Sequence, residues 1–177
     1  MNAKFEELKD KVAVVTGGAG VLCGAMSISL AKQGVKVAIL DLKPEAAEDI
    51  VKTISVAGGT AIAVYANVLD PESLQKAKAK VTETFGTCDI LINGAGGNHP
   101  KGTTSKTHLE IDDLKTSDEL KTFFDLDTEG IQFVFNLNFI GTLLPTQIFA
   151  KDMVRKEGGS IINISSMNAF KPLTKIP

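Results

Sequence analysis

Residues 11–41 read KVAVVTGGAGVLCGAMSISLAKQGVKVAILD. The run 12–16 is apolar and rich in β-branched residues, as a strand buried on both faces requires. Gly17, Gly18 and Gly20 then predict a tight turn, and apolar spacing predicts a helix over 22–33 that breaks at Gly34. A second strand over 35–40 leads into an acid, Asp41. These are the parts of a βαβ unit that holds a dinucleotide. Glycines let the backbone approach a pyrophosphate, and the helix start at Val21 and Leu22 offers it unpaired N–H groups. A carboxylate roughly 20 residues further on can accept from a ribose. Taken alone, such a turn can also do no more than pack a helix on a strand.

Working outward, Pro44 suits a helix start, and Ala46, Ala47, Ile50, Val51 and Ile54 recur at helical spacing until Gly58 and Gly59. Residues 60–68 predict a third buried strand. Asp70 caps the next helix, Pro71 sits in its first turn, and Leu74, Ala77, Val81 and Phe85 mark its apolar face. A fourth strand over 88–93 runs into Gly94, Ala95, Gly96 and Gly97. Residues 98–127 are polar and rich in Thr, a long excursion with one short helix near 117–124. Following a strand's C-terminal end, it lies where parallel sheets bind ligands; a surface insertion without substrate contact is the other reading. Residues 128–156 predict a long apolar helix that Pro145 kinks or redirects. A fifth strand over 160–164 leads to Ser165 and Ser166. Alternation of this kind predicts an α/β fold, a doubly wound, mostly parallel, Rossmann-like sheet, as one domain over 1–177 with an insertion at 98–127.

Composition excludes several classes. Hydrophobic content of 44% with 23% charged residues describes a globular chain, not a disordered one. A net charge of -2 leaves no basic footprint for nucleic acid or an anionic membrane. The first residues carry acids and no apolar signal core, and no run approaches the ~18 apolar residues of a membrane span. Cys23 and Cys88 lack metal or redox spacing, which predicts buried reduced thiols and a cytoplasmic protein. His99 and His108 make no plausible metal pair, so no metal is expected. Residues 97–103 imitate a Walker loop's glycines, but Thr103 stands where lysine is needed, which argues against phosphoryl transfer.

Asp41, Asn67 with Val68, and Asn93-Gly94-Ala95-Gly96 all fall at strand ends on one sheet edge. Together with Thr16-Gly17, Asn138 within NLNFIGTLLPTQ, and Ile164-Ser165-Ser166, they resemble the short-chain dehydrogenase/reductase family over nearly the whole chain. Thr16-Gly17 is similar to its TGxxxGxG and Asn93–Gly96 to its NNAG. The segments GGNHPKGTT, TFFDLD and SSMNAFKPLTKIP resemble more narrowly the D-mannonate oxidoreductase (fructuronate reductase) branch, which acts on sugar acids. Three departures stand out. The family's second and third glycines fall on Val21 and Cys23, with Gly20 and Gly24 each one residue away. Asn67 replaces an aspartate that contacts adenine. The tyrosine of YxxxK would fall just beyond Pro177, and the chain's single tyrosine, Tyr65, has no lysine four residues on.

The resemblance implies hydride transfer between a nicotinamide and a carbinol or carbonyl carbon. Ser166 would orient the substrate oxygen, and Asn138 would hold a proton-relaying water. Asn138 could instead be a buried amide tying its helix to a strand, and Ser166 a turn hydroxyl. Gly17, Gly18, Gly20, Val21, Leu22, Asp41, Asn67, Val68, Asn93, Gly94, Ala95 and Gly96 would line the cofactor site. Asp41 favours NAD over NADP by repelling a 2′-phosphate, although Lys43 could reach one. Asn98, His99, Lys101, Ser166 and Asn168 are the candidate substrate contacts, with Lys101 the partner of a carboxylate. Without the tyrosine and lysine the chain is expected to be inactive alone, as a fragment of a longer enzyme. The alternative is a non-catalytic dinucleotide-binding or sensor domain; flavin or nucleoside binding ranks below both. Family members associate through the long helix, so a homodimer or homotetramer is expected, with Phe133, Leu137, Ile140 and Leu144 as an interface or core stripe.

Overall fold

The computed structural model describes residues 5–115, 120–156, 158–167, 170 and 175. The chain divides into two compact units, Met1–Ala95 with Ile140–Ile164, and Gly96–Phe139 with Ser165–Pro177.

The first unit carries five parallel strands, β1 (Val12–Thr16), β2 (Lys36–Asp41), β3 (Thr60–Tyr65), β4 (Ile90–Asn93) and β5 (Ser160–Asn163), in the order β3-β2-β1-β4-β5. Helices α1 (Val21–Lys32) and α2 (Pro44–Val56) supply one layer, α3 (Pro71–Phe85) and α5 (Gly141–Arg155) the other. Alternation along the strands sorts the core into two. Val12, Val14, Leu40 and Leu91 pack with Leu74, Val81, Phe149 and Met153, whereas Ala13, Val15, Ile39 and Ile92 pack with Ala31, Ala47 and Ile54. This is the doubly wound sheet the sequence predicts. Its strand order reverses between β1 and β4, where the register sets Thr16 against Asn93. Ligands of such folds bind beyond the strand ends at that point.

Several boundaries differ from expectation. β3 stops at Tyr65, which is 56% exposed, and the strand is half-exposed because it lies at the sheet edge. Asn67 and Val68 therefore sit in the turn after it. β4 is buried along its length, while Ile161 and Ile162 of β5 are 41% and 48% exposed. Exposed apolar surface on this side of the sheet thus falls on β5 and not on β4. Asp70 caps α3 by accepting from the N–H of Glu72, as its position predicts.

In the second unit, α4 spans Thr128–Phe135, and Asp127 caps it by accepting from the N–H groups of Glu129 and Gly130. Residues 98–127 form 3-10 turns at Pro100–Gly102, Ile111–Leu114 and Phe123–Asp125. Of the helix expected near 117–124, residues 116–119 lie outside the described set, residues 120–122 are irregular, and a 3-10 turn begins only at Phe123.

The helical run from Thr128 to Arg155 is long and apolar enough, by length and composition, to cross a membrane, which the sequence reading overlooked. Core helices pass the same test, and Ile148, Phe149 and Met153 of α5 are buried against the sheet. The run departs from α geometry at Asn136–Ile140, a π-helical turn, and not at Pro145, where a kink was expected. Pro145 has no N–H to return to the carbonyl of Gly141 and its ring crowds that oxygen. The ladder has widened in the turn just before. Of the expected stripe, Leu144 packs on the core and Phe133 meets His99.

Candidate active site

The glycine turn is built by contacts from β1, β2 and β4. Gly17 holds φ at +62°, and a Cβ there would stand 2.8 Å from the Cα of Ala95, so a side chain is excluded on both counts. Thr16 Oγ1 accepts from the N–H groups of Gly94 (3.1 Å) and Ala95 (3.3 Å), binding the two strand ends together. Asp41 reaches across from β2: one carboxylate oxygen accepts from the N–H of Ala19 at 3.1 Å, the other from that of Lys43 at 3.1 Å. Gly20 begins α1 with extended φ and ψ and no side-chain cap, and the first turn holds no acid. The N–H groups of Val21 and Leu22 thus open onto solvent beside highly exposed side chains. An uncapped helix start beside a turn that tolerates no Cβ fits a pyrophosphate. Displacement of the family's glycines to Val21 and Cys23 is absorbed locally. Cys23 points inward, is buried, and lies against Gly94, where a Cβ would strike its Sγ. Burial, and then the charge of Asp41, pushes its thiol pKa up.

The fold limits what several of the expected cofactor residues can offer through their side chains. Asn93 is 2% exposed; its Nδ2 donates to Thr146 Oγ1 at 2.9 Å and to Asn163 Oδ1 at 2.8 Å, which ties β4 to α5 and β5. Its side chain is thus engaged as a core fastening, and what Asn93 can offer a cofactor is backbone. Asn67 Oδ1 accepts from the N–H of Leu69, closing the turn into α3, so this oxygen is already engaged. Val68 is buried and can offer only backbone. Gly18 is buried under Ile39 and shapes the turn.

In the second unit, residues 97–102 lie along the helix 128–138, in the opposite direction. Gly97 donates its N–H to Asn138 Oδ1 at 3.0 Å, and Asn138 Nδ2 donates back to the Gly97 carbonyl at 2.8 Å and to that of Val134 at 2.8 Å. The His99 ring packs on Phe133 with centroids 5.1 Å apart. Lys101 Nζ stands 3.2 Å from Asp127 Oδ2 and 3.7 Å from Glu129 Oε2. Gly130 permits this approach, since a Cβ there would be 2.6 Å from that of Lys101. The N–H of Glu129 and then Lys101 hold the Asp127 carboxyl pKa low, and Asp127 and then Glu129 hold that of Lys101 high.

Structure thus brings Gly96, Gly97, His99 and Lys101 together with the π turn bearing Asn138. The Asn138 side chain is exposed, not buried, and serves as a clamp. Lys101, expected to meet a substrate carboxylate, is already matched by two acids. Asn98 is exposed. Ser166 is exposed two residues beyond Ile164, whose N–H donates to the Asn93 carbonyl at 2.9 Å. Asn168 lies outside the described residues. Among the described residues no three His, Cys, Asp or Glu side chains gather to hold a metal. The sequence marks Thr16 as part of the glycine motif without showing its bonds to Gly94 and Ala95, and it gives Gly130 no role. Thr16 was visible as the last residue of a strand before glycine, and Gly130 as a glycine in the first turn of an apolar helix.

A parallel sheet with its switch point between β1 and β4, ending in an open glycine turn and a β2 carboxylate, defines a Rossmann-type dinucleotide-binding fold. The short chain dehydrogenase family model matches residues 11–177, and the chain belongs to that family. An uncharacterized oxidoreductase of Haemophilus influenzae is 53% identical over 175 residues, covering 99% of this chain and 60% of the relative. The uncharacterized oxidoreductase UxuB of Bacillus subtilis is 47% identical over 172 residues, 97% of this chain and 60% of its own length. A solved Haemophilus structure, described as a candidate D-mannonate oxidoreductase with bound NAD, superposes with a TM-score of 0.90 at 52% identity. That match covers 96% of this chain and 60% of the other. The chain therefore spans about three fifths of the length of these relatives.

Proposed function

We propose that this chain is the cofactor-binding part of an NAD-dependent short-chain dehydrogenase/reductase acting on a sugar acid of the mannonate/fructuronate type. The observation that carries this reading is the 52% identity, over 96% of the chain, to the NAD-bound candidate D-mannonate oxidoreductase. Geometry supports the cofactor: Asp41 stands beside the glycine turn where it can accept from ribose hydroxyls, and its charge opposes a 2′-phosphate. Bound NAD+ would take hydride from a secondary carbinol carbon as the hydroxyl proton leaves, giving ketone, NADH and a proton.

The uncapped start of α1 binds the pyrophosphate. Ser166 donates to or accepts from the substrate oxygen and orients it. Asn138 keeps residues 97–102 fixed on their helix, and a water held at its turn completes the proton relay. The protein works in the cytoplasm as a homodimer or homotetramer.

Fluorescence titration of the purified chain with NADH and NADPH tests the cofactor, followed by D-mannonate titration of the NADH complex. Tighter NADH binding and a saturable D-mannonate response are expected. No binding of either dinucleotide would overturn the reading.

A further inference from the structure

His99 carries a donor for which the described residues supply no acceptor. The N–H of Lys101 donates to His99 Nδ1 at 3.2 Å, and a ring nitrogen that accepts must hold its lone pair, so the neutral ring carries its proton on Nε2. Packing on Phe133 and the bonds from Gly102 N–H and Thr103 Oγ1 to the His99 carbonyl fix where the ring sits. Among the described residues nothing accepts from Nε2. The ring is half-buried and lies two residues from Gly97, which is clamped to Asn138. Lys101 is occupied by Asp127 and Glu129.

We infer that His99, through Nε2–H, donates a hydrogen bond to an oxygen of the sugar-acid substrate, while Lys101 acts as a positioning residue that sets the His99 tautomer through its backbone N–H. The inference rests on the sugar-acid reading above. A fixed neutral donor suits an acceptor-rich polyhydroxy acid, and it needs no free cation to recognise one. The N–H that sets the tautomer belongs to the residue whose side chain anchors the segment to α4. Ring orientation and segment docking are therefore coupled.

The test uses the full 177-residue chain with NADH bound and D-mannonate as the probe. Long-range 1H–15N spectra should show His99 protonated at Nε2, with Nδ1 unprotonated, and D-mannonate should shift the His99 signals saturably and leave those of His108 in place. His99→Phe, which retains ring packing without the donor, should raise the D-mannonate Kd about tenfold. His99→Gln, which restores an amide N–H, should recover most of that loss, and both should bind NADH like the wild type. An Nδ1–H tautomer, an unchanged Kd in His99→Phe, or a loss that His99→Gln leaves in place would overturn the inference alone. Absence of D-mannonate binding by the wild-type NADH complex would overturn it together with the sugar-acid reading. If His99→Phe fails to fold, the spectra of the wild type decide.

Discussion

Gly97 and Asn138 face each other and exchange two hydrogen bonds, at 3.0 and 2.8 Å, through the glycine backbone and the asparagine side chain. A residue that family resemblance marks as catalytic thus has its amide engaged in holding a loop. The π turn makes this possible: widening the helix at Asn136–Ile140 changes which way the Asn138 side chain leaves it.

Asn138→Ala removes both bonds and should destabilise the chain by about 1–2 kcal/mol, with neutral backbone groups returned to water. The sharper expectation is local. Amide hydrogen exchange at residues 97–102 should accelerate while the strands of the sheet keep their protection. Uniform acceleration throughout the chain would count against a clamp.

Gly130→Ala sets two effects against each other. Alanine gains about 1 kcal/mol of helix propensity over glycine. Its Cβ would sit 2.6 Å from that of Lys101 and 2.9 Å from the Gly102 nitrogen, so α4 and the segment must part. Overpacking of this kind costs about 1–3 kcal/mol and should win. Urea denaturation should show a lower midpoint, and a raised midpoint would show that the segment yields easily.

Asp41→Ala should weaken NADH binding about tenfold or more, equivalent to ~1.4 kcal/mol. Part of the loss comes from a ribose that has lost its acceptor, and part from Ala19, whose N–H donates to Asp41 at 3.1 Å and holds the turn. With the carboxylate charge gone, the preference for NADH over NADPH should narrow. Parallel fluorescence titrations measure both effects. An unchanged NADH-to-NADPH ratio would remove Asp41 from cofactor choice.

Asp89 governs part of the acid stability. Its carboxylate accepts from the N–H of Val12 and from Lys156 Nζ, each at 2.8 Å. Burial pushes its pKa up, but Lys156 and the Val12 N–H outweigh burial and leave it below the ordinary value. A carboxyl depressed on folding adds stability above its unfolded pKa of about 3.9, and that stability is lost as pH falls through the folded value. Asp89→Asn should therefore lower the melting temperature at pH 7, with the gap to the wild type closing as pH falls below the unfolded value and through the lower folded one. A gap independent of pH would assign the effect to packing alone.

The alternation of strands and helices, the glycine turn and the caps were legible in the sequence because they are local. Five apolar runs separated by Gly, Pro and Asp state their own periodicity, and the βαβ unit from Lys11 to Asp41 lies in one continuous stretch. Sidedness along the sheet was legible as well, since residues at parallel strand ends must share an edge. Partnership was not. That Asn93 is spent on Thr146 and Asn163, that Lys101 is held by Asp127 and Glu129, and that β3 is an edge strand each depend on what lies opposite. Pro145 announced a departure from the α ladder, but only packing decided that the departure would be a π turn one step earlier, at Asn136–Ile140, with Asn138 turned onto Gly97. Sequence by itself determined that a dinucleotide cradle is present. Tertiary structure decided which side chains keep donors or lone pairs to spare: Asn93 Nδ2 has both its hydrogens committed, whereas the Asp41 oxygens accept from Ala19 and Lys43 and still hold further lone pairs.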